Sequence, residues 1–310
     1  MLVCLGLDTS NYTTSAAVFN GEEGENCGKL LEVPEGALGL RQSDALFQHV
    51  KRLPEMFTSL RAHGMLDGIE AVGASTRPRA VEGSYMPCFL PGETVGRCLA
   101  DVLGVPFFPC AHQEGHIAAA AWSAGRIDLL DKPHLAWHLS GGTTELLYVE
   151  PDGSGVKAEC IGGTSDISAG QLIDRTGKLM NVAFPAGKTL DALTDGEEIG
   201  QYFRVKINGF TFSLSGVENQ VKAMVQRGEE PKRVACYVLD TIARAVQETT
   251  KAAWKRWPGL PVLCSGGVAS SMRLRQWMPD AAFAEPKYST DNAMGVAILT
   301  HRMLMRGGDQ

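Results

Sequence analysis

Hydrophobic and small polar residues form two similar blocks, one near the N-terminus and one near the middle of the chain. Residues 5–18 read Leu-Gly-Leu-Asp-Thr-Ser-Asn-Tyr-Thr-Thr-Ser-Ala-Ala-Val, and residues 135–148 read Leu-Ala-Trp-His-Leu-Ser-Gly-Gly-Thr-Thr-Glu-Leu-Leu-Tyr. Each block is typical of two β-strands joined by a polar turn. When the blocks are aligned, Asp8 corresponds to His138 and Ser10 to Ser140.

The same order of predicted elements follows each block. After the first block we expect a helix over 43–60, a strand over 71–76 and a helix beginning near Gly92. After the second we expect helices over 171–180 and 234–257, a strand over 262–267 and a final helix from Asp291. The segments 21–28, 151–155, 194–200 and 226–232 are predicted loops. This repeated order of elements predicts an α/β protein with two similar lobes and a ligand between them.

Composition fits a globular enzyme with two domains. The chain has 310 residues, of which 44% are hydrophobic and 21% charged, and this length exceeds one ordinary core. We predict an N-terminal lobe over 1–131, closed by a C-terminal helix over 292–310, and a second lobe over 132–291. The net charge of −6 gives no general attraction to a phosphate backbone, so nucleic-acid binding would need a local patch or a partner.

Nothing in the sequence predicts export or membrane insertion. The apolar run 1–7 is shorter than a signal-peptide core, and no apolar stretch approaches the roughly 20 residues that span a bilayer. The eight cysteines are scattered, without the paired spacing of zinc or redox sites. We therefore expect a cytoplasmic protein with mostly buried thiols and no membrane contact.

Two histidines one helical turn apart are the first candidate metal ligands. On a helix, His112 and His116 project from one face and could share a metal ion; they could equally be ordinary helix histidines. Glu114 does not directly follow the first histidine, so the metalloprotease pattern is absent. His138, before a Ser-Gly-Gly turn, and Asp291, at the start of the final helix, are further candidates. Their alternatives are a core histidine and a helix-capping carboxylate.

A second group of residues suits a nucleotide. Backbone N–H groups in small-residue turns can hold phosphate oxygens, and the turns 140–143 and 265–267 are of this kind, unless they are only tight bends. Asp174 and Asp191 flank Phe184-Pro-Ala-Gly187 and could accept hydrogen bonds from ribose hydroxyls, or could be surface carboxylates. Arg77 and Arg79 could bind an acceptor carboxylate or phosphate, or could lie in a solvated turn.

These residues occur in motifs whose order resembles the TsaD/Gcp family, which makes threonylcarbamoyladenosine in tRNA. The resemblance covers nearly the whole chain. Its motifs are Gly6-Leu-Asp-Thr-Ser10, Gly96-Arg-Cys-Leu-Ala100, Glu114-Gly-His116, Ser140-Gly-Gly142, Ala169-Gly170 with Asp174, Phe184-Pro-Ala-Gly187, Phe212-Ser-Leu-Ser-Gly216, Gly266-Gly-Val268 and Thr290-Asp-Asn292.

The resemblance implies an actin-like ATPase fold, of the sugar-kinase and Hsp70 type, with two ribonuclease-H-like lobes. It implies an adenine nucleotide or threonylcarbamoyl-adenylate and one divalent metal ion, iron or zinc. The implied ligands are His112, His116 and Asp291, with His138 in the place of a metal-binding tyrosine of archaeal members. The implied nucleotide-binding residues are His138, Leu139, Ser140, Gly141, Gly142, Asp174, Gly187, Asp191, Gly266, Gly267 and Ser271. The implied partners are tRNA, a TsaB-type companion subunit and a TsaE-type ATPase.

The chain departs from the family pattern around the predicted site. Where the family has Cys-Asp-Glu-Thr, this chain has Asn11-Tyr-Thr-Thr14, which removes two acidic side chains. Thr76-Arg-Pro-Arg79 replaces the usual glycine-rich turn, Glu218 replaces the lysine of the Phe-Ser-Gly motif, and Ser271 replaces an expected asparagine. The residue after the Ser-Gly-Gly turn, Thr143, also departs from the pattern. These changes indicate a divergent paralogue, for which Asp8 and Thr13 are the remaining candidate catalytic residues.

Three functions follow from these observations. The first is transfer of a threonylcarbamoyl group from threonylcarbamoyl-adenylate to the N6 amine of the tRNA adenosine next to the anticodon. The second is a carbamoyltransferase-like reaction on another acceptor, with Arg77 and Arg79 as acceptor contacts. The third is a non-catalytic partner subunit, which the paired histidines disfavour because the family's shortened supporting relative lacks them.

Overall fold

The computed structural model describes residues 2–10, 12–33, 40–198, 200 and 202–307. The strands are β1 Val3–Thr9, β2 Thr13–Phe19, β3 Gly24–Leu30, β4 Ile69–Arg77, β5 Phe107–Ala111, β6 His134–Leu139, β7 Thr144–Asp152, β8 Gly155–Thr164, β9 Thr211–Phe212, β10 Val262–Ser265 and β11 Ala282–Phe283. The α-helices are α1 Gln42–Ala62, α2 Leu90–Leu103, α3 His112–Ser123, α4 Ala169–Leu179, α5 Gly187–Leu193, α6 Ser215–Gln226, α7 Pro231–Arg256, α8 Met272–Trp277 and α9 Met294–Gly307.

The chain divides into two compact units. The first comprises 1–132, 150–158 and 290–310, and the second comprises 133–149 and 159–289. The predicted boundaries differ from this division at 132, at 150–158 and at 290–291, which belong to the first unit. The difference at 290–291 matters, because it puts Asp291 in the same unit as the two candidate histidines. Within the described residues, no helix is long and apolar enough to span a bilayer.

The first unit is built on a five-stranded sheet in the order β3-β2-β1-β4-β5. Strand β1 pairs antiparallel with β2 and parallel with β4. Leu5 and Leu7 on β1 and Val72 on β4 are buried. Helix α2 contacts β1 and β4, and helix α1 contacts β2 and β3. This sheet directs the carboxyl ends of β1, β4 and β5 towards one edge, where polar residues follow apolar ones.

Helix α9 approaches the sheet and α3 closely because glycines remove the side chains in its path. A Cβ atom at Gly6 would lie 2.4 Å from the Ala297 nitrogen, and one at Gly295 would lie 1.7 Å from the Gly115 carbonyl oxygen. Neither position can carry a side chain without separating the elements. The pair Gly115 and Gly295 therefore fixes how near the start of α9 comes to α3.

The second unit contains a six-stranded sheet in the order β11-β10-β6-β7-β8-β9. Strand β6 pairs antiparallel with β7 and parallel with β10. Leu135, Trp137 and Leu139 on β6 are fully buried, as is much of the long helix α7. Both predicted strand–turn–strand blocks are thus antiparallel hairpins with a parallel neighbour, and the prediction of a repeated plan is confirmed for these elements.

Two predicted element boundaries were wrong. Residues 24–30 form strand β3 rather than a loop; the segment Gly-Glu-Asn-Cys-Gly-Lys-Leu has no apolar alternation, but full pairing with β2 makes it an edge strand. The final helix begins at Met294, not at Asp291 or 292, and its regular part ends at Gly307. The residues before it cap the helix, because the Met294 nitrogen donates to Asn292 Oδ1 at 3.1 Å.

Candidate functional site

Helix α3 carries both candidate histidines and starts directly after strand β5. Glu114 accepts a hydrogen bond from the Ala111 nitrogen at 2.6 Å through its Oε2 atom. The Gln113 nitrogen donates to the Pro78 carbonyl oxygen at 3.0 Å. These contacts satisfy backbone donors that a helix start leaves unpaired, and they hold the first turn in place. Glu114 therefore has a structural role here.

Three ligand atoms converge at this helix start. His112 Nε2 lies 2.9 Å from His116 Nε2 and 3.6 Å from Asp291 Oδ1, and His116 Nε2 lies 3.2 Å from the same oxygen. A tetrahedral zinc ion with ligands at its usual bond lengths separates them by about 3.3 Å. Within the described residues, these three form the group of metal-ligating side chains that lie close enough to share one ion. The donor set and its spacing fit a divalent metal.

Asp8 orients the first of these histidines. Its Oδ2 atom accepts a hydrogen bond from His112 Nδ1 at 2.8 Å, and its Oδ1 atom accepts one from Ser75 Oγ at 2.5 Å. Asp8 is 1% exposed. A histidine that donates through Nδ1 to a carboxylate presents the lone pair of Nε2, which is the arrangement found around metal-bound histidines. Asp8 therefore contacts the ring of His112 from the side opposite Nε2, and its predicted catalytic role stays a prediction.

Asp291 is held by the loop that leads into α9. The Ala293 nitrogen donates to Asn26 Oδ1 at 2.9 Å, and Asn292 Nδ2 donates to the Thr290 carbonyl oxygen at 2.6 Å. Asn26 lies on the edge strand β3. Strand β3, part of which was predicted to be a loop, therefore holds the segment that carries Asp291.

Electrostatics at the three ligands favour a cation. Burial disfavours a charged His112, but the neighbouring carboxylates Asp8 and Asp291 outweigh it and raise the pKa of His112 to about 10. Burial also raises the pKa of Asp291, and hydrogen bonds from both histidines reverse this and hold the pKa well below its usual value. In metal-free protein a proton supplies the positive charge that a metal ion would supply.

His138 belongs to the second unit. It lies on β6, where its Nδ1 atom is 3.4 Å from Ser265 Oγ on β10. Its assignment as a fourth metal ligand stays a prediction, because the other three candidate ligands belong to the first unit.

Most of the predicted nucleotide-binding residues of the second unit meet in one cavity. This cavity has a volume of about 640 Å³. Its lining includes six residues named from the sequence: Gly141, Asp174, Gly187, Asp191, Gly267 and Ser271. The fit of volume and residues to a nucleotide-sized ligand is good. The remaining five, His138, Leu139, Ser140, Gly142 and Gly266, are in or beside the same two turns but do not line the cavity.

The two turns are ordered by their own hydrogen bonds. Ser140 Oγ accepts from the Thr143 nitrogen at 3.0 Å and from the Gly142 nitrogen at 3.3 Å. Gly266 has a φ of +92°, and a Cβ atom there would lie 2.2 Å from the Leu139 carbonyl oxygen. Glycine is required at 266, because the β10 turn crosses directly over the end of β6. Leu139 is fully buried, so its contact with a ligand stays a prediction.

Both predicted ribose-binding carboxylates have protein partners. Asp174 accepts from the Ala186 nitrogen at 2.9 Å. Asp191 accepts from Ser271 Oγ at 2.5 Å and from the Met272 nitrogen at 2.9 Å, which caps α8. Each carboxylate has further lone pairs, so a ribose contact stays a prediction. Ser271 is itself the N-cap of α8.

Nine of the fifteen lining residues are absent from the set predicted from the sequence, and two of these have side chains that suit a nucleotide. Phe184, 84% exposed, and Lys188, at the start of α5, both line the cavity. Lys188 could have been predicted, because it directly follows Gly187, the last residue of a motif assigned to nucleotide binding. The sequence places Phe184 in a motif but does not show that its ring is exposed. An exposed aromatic ring beside a nucleotide cavity can stack on a base.

The departures from the family pattern fall in both units: those at 12–14 and 76–79 lie in the first, and Thr143, Glu218 and Ser271 lie in the second. Asn11 is outside the described residues, Tyr12 is exposed, and Thr13 is buried in β2. Thr13 therefore stays an untested catalytic candidate. Arg77 and Arg79 are exposed; Arg77 ends β4 opposite Ala111, the residue before His112.

Solved structures with a similar fold include two that contain a bound nucleotide. Full-length HypF in its phosphate- and nucleotide-bound form matches with a TM-score of 0.61 and 13% identity, over 98% of this chain and 55% of HypF. The activator of 2-hydroxyisocaproyl-CoA dehydratase from Clostridium difficile, with bound ADPNP, matches with a TM-score of 0.53 and 11% identity over 99% of this chain and 97% of that chain. The fold is that of the actin-like ATPases, as predicted.

Sequence comparison identifies the family within that class. The family model for TsaD, tRNA N6-adenosine threonylcarbamoyltransferase, matches residues 43–298. A tRNA N6-adenosine threonylcarbamoyltransferase from Carboxydothermus hydrogenoformans is 30% identical over 245 residues, 74% of this chain and 72% of the relative. One from Chlorobium phaeobacteroides (strain BS1) is 28% identical over 98% of this chain and 94% of the relative. The chain belongs to the TsaD family, which confirms the resemblance.

Proposed function

We propose that this protein transfers a threonylcarbamoyl group from threonylcarbamoyl-adenylate to the N6 amine of the tRNA adenosine next to the anticodon. The bond between N6 and the carbonyl carbon forms as the bond between that carbon and the phosphate oxygen breaks, and AMP and the amine proton leave. The proposal agrees with the description of the family and with the names of its relatives. The observation that carries it is the convergence of His112, His116 and Asp291, oriented by Asp8, in a chain of this family.

One divalent metal ion, iron or zinc, would be held by His112, His116 and Asp291, with His138 as a proposed fourth ligand. Two imidazole nitrogens and a carboxylate suit either metal. When bound, the ion would supply Lewis-acid polarisation of a carbonyl or phosphate oxygen. The chain's own contribution is orientation: Asp8 fixes the His112 ring, and Glu114 fixes the helix start that carries both rings.

The nucleotide part of the donor is assigned to the cavity of the second unit. The Gly141 and Gly267 turns offer backbone N–H groups for phosphate, and Lys188 adds a cation to the lining. Asp174 and Asp191 keep lone pairs for ribose hydroxyls beyond their protein partners. Phe184 would stack on the adenine ring.

The reaction itself tests the proposal. Purified protein is incubated with unmodified tRNA and threonylcarbamoyl-adenylate, with and without a TsaB-type companion subunit and a TsaE-type ATPase, and nucleosides from the digested tRNA are quantified by mass spectrometry. We expect threonylcarbamoyladenosine, lost in His112→Ala and Asp291→Ala and retained in His63→Ala, which changes an exposed histidine at the end of α1.

Two other results would refute the tRNA acceptor. Consumption of the donor with the group recovered on a small molecule or a protein would favour a carbamoyltransferase-like reaction on another acceptor. A metal-free protein that consumes no donor, and that increases the yield of an authentic family enzyme, would favour a non-catalytic partner subunit.

A further inference from the structure

An exposed loop is anchored directly beside the three candidate metal ligands. This loop, residues 77–85, is called the arginine loop below. Its first residue, Arg77, pairs with Ala111 at the end of β5, and its second residue accepts a hydrogen bond from the Gln113 nitrogen through the Pro78 carbonyl oxygen at 3.0 Å. The loop is therefore fixed on both sides of His112.

The rest of the arginine loop is a turn closed on itself. The Arg79 nitrogen donates to Ser84 Oγ at 3.0 Å, and the Ser84 nitrogen donates to the Val81 carbonyl oxygen at 3.2 Å. Gly83 has a φ of +74°, a conformation that glycine adopts without strain. The loop backbone and the Ser84 hydroxyl are bonded within the loop, and the side chains of Arg77, Arg79 and Tyr85 lie at the surface.

Those side chains combine cations with an aromatic ring. Arg77 and Arg79 are exposed, and Tyr85 is 62% exposed. Among the described residues, the Arg77 side chain makes no hydrogen bond or ion pair, and a longer-range attraction links it to the partly buried carboxylate of Glu114. The one carboxylate within the loop is the exposed Glu82, so the cations outnumber it.

This combination suits a single-stranded nucleic acid better than a small anion. Guanidinium groups bind phosphates, and an exposed ring binds an unstacked base on its face. Sequence-specific RNA recognition uses single-stranded loops whose bases stack on aromatic side chains. A chain with a net charge of −6 needs a local basic patch to hold RNA, and the arginine loop supplies one beside the candidate metal ligands.

We propose that the arginine loop binds the single-stranded anticodon loop of the acceptor RNA, with Arg77 and Arg79 on backbone phosphates and Tyr85 stacked on a base. This inference rests on the proposed function, because it takes the acceptor to be RNA. It adds the surface that recognises the acceptor, and it places that surface in the first unit.

RNA binding measured apart from catalysis tests the loop. A fluorescent anticodon stem-loop RNA is titrated with the full chain in the absence of donor, at several salt concentrations. Arg77→Gln and Arg79→Gln should each weaken binding and reduce the salt-dependence slope by about 0.7, the value for one phosphate contact on a single strand. Tyr85→Ala should weaken binding by about fivefold or more, and Tyr85→Phe should restore it.

Arg61→Gln is the matched control, because Arg61 is an exposed arginine of the same unit at the end of α1. The proposal is overturned if the double variant Arg77→Gln, Arg79→Gln binds RNA as the unchanged protein does, or if the control loses as much. Binding that depends on the loop without any transfer to tRNA would sink the proposed function alone. Transfer to tRNA with loop-independent binding would sink this inference alone.

Discussion

Removal of the negative charge on Asp8 should weaken metal binding without touching a ligand. Asp8 is buried and bonds His112 Nδ1 at 2.8 Å and Ser75 Oγ at 2.5 Å. In Asp8→Asn the side chain keeps its shape, and its oxygen can still accept from His112 while its amide faces Ser75. What is lost is the charge that makes the Nε2 lone pair of His112 a better donor.

The size of this effect follows from other carboxylate–histidine–metal arrangements. Loss of such an outer partner lowers metal affinity by roughly 10–100-fold, which corresponds to about 1.4–2.7 kcal/mol. The metal-free fold should also lose stability, by about 1–3 kcal/mol, because buried donors lose a charged acceptor. Both changes should therefore appear, and they can be measured separately.

The assay is a zinc titration against a chromophoric chelator, with the unfolding transition of the metal-free variant recorded in parallel. Ser75→Ala is the matched control, because it removes the other hydrogen bond of Asp8 and leaves the charge facing His112. We expect Asp8→Asn to bind zinc at least tenfold more weakly and Ser75→Ala to stay within about threefold of the unchanged protein. Zinc affinity in Asp8→Asn equal to that of the unchanged protein, with His112→Ala abolishing binding, would refute the orienting role.

Three further predictions concern parts of the chain outside the ligands. Burial lowers the pKa of His49 to about 4. Because the unfolded chain binds the proton of this histidine near pH 6.5, the contribution of neutral His49 to stability is full above pH 6.5 and falls by up to about 3 kcal/mol towards pH 4; His49→Gln should remove this part of the slope in acid-unfolding curves. Thiol titration of the native protein should label Cys98 and Cys160 first, because both are exposed; rapid labelling of all eight would contradict the structure. Asp240→Asn should destabilise the second unit by about 3–5 kcal/mol in urea unfolding, because it breaks the buried pair with Arg273, whose Nε lies 2.6 Å from Asp240 Oδ1.

Local patterns predicted the parts of the site that lie on one element. His112 and His116 were read as one face of a helix, and α3 does begin at His112. The paired hairpins and the glycine turns were also visible, because strand alternation and turn chemistry are local properties. The cavity residues Asp174 and Asp191 were found through motif order, but their bonds to Ala186 and Ser271 were not.

The sequence by itself determined the fold class, the family and the candidate ligands His112, His116 and Asp291, because those rest on local patterns and on the order of the motifs along the chain. Only the tertiary structure decided that Asp8 orients His112, since those residues are 104 positions apart in the chain. It also decided that Asp291 joins the histidines, because this depends on how closely Gly295 allows α9 to approach Gly115. Contacts between distant segments depend on side-chain volume and close packing, so the sequence of one segment does not predict them.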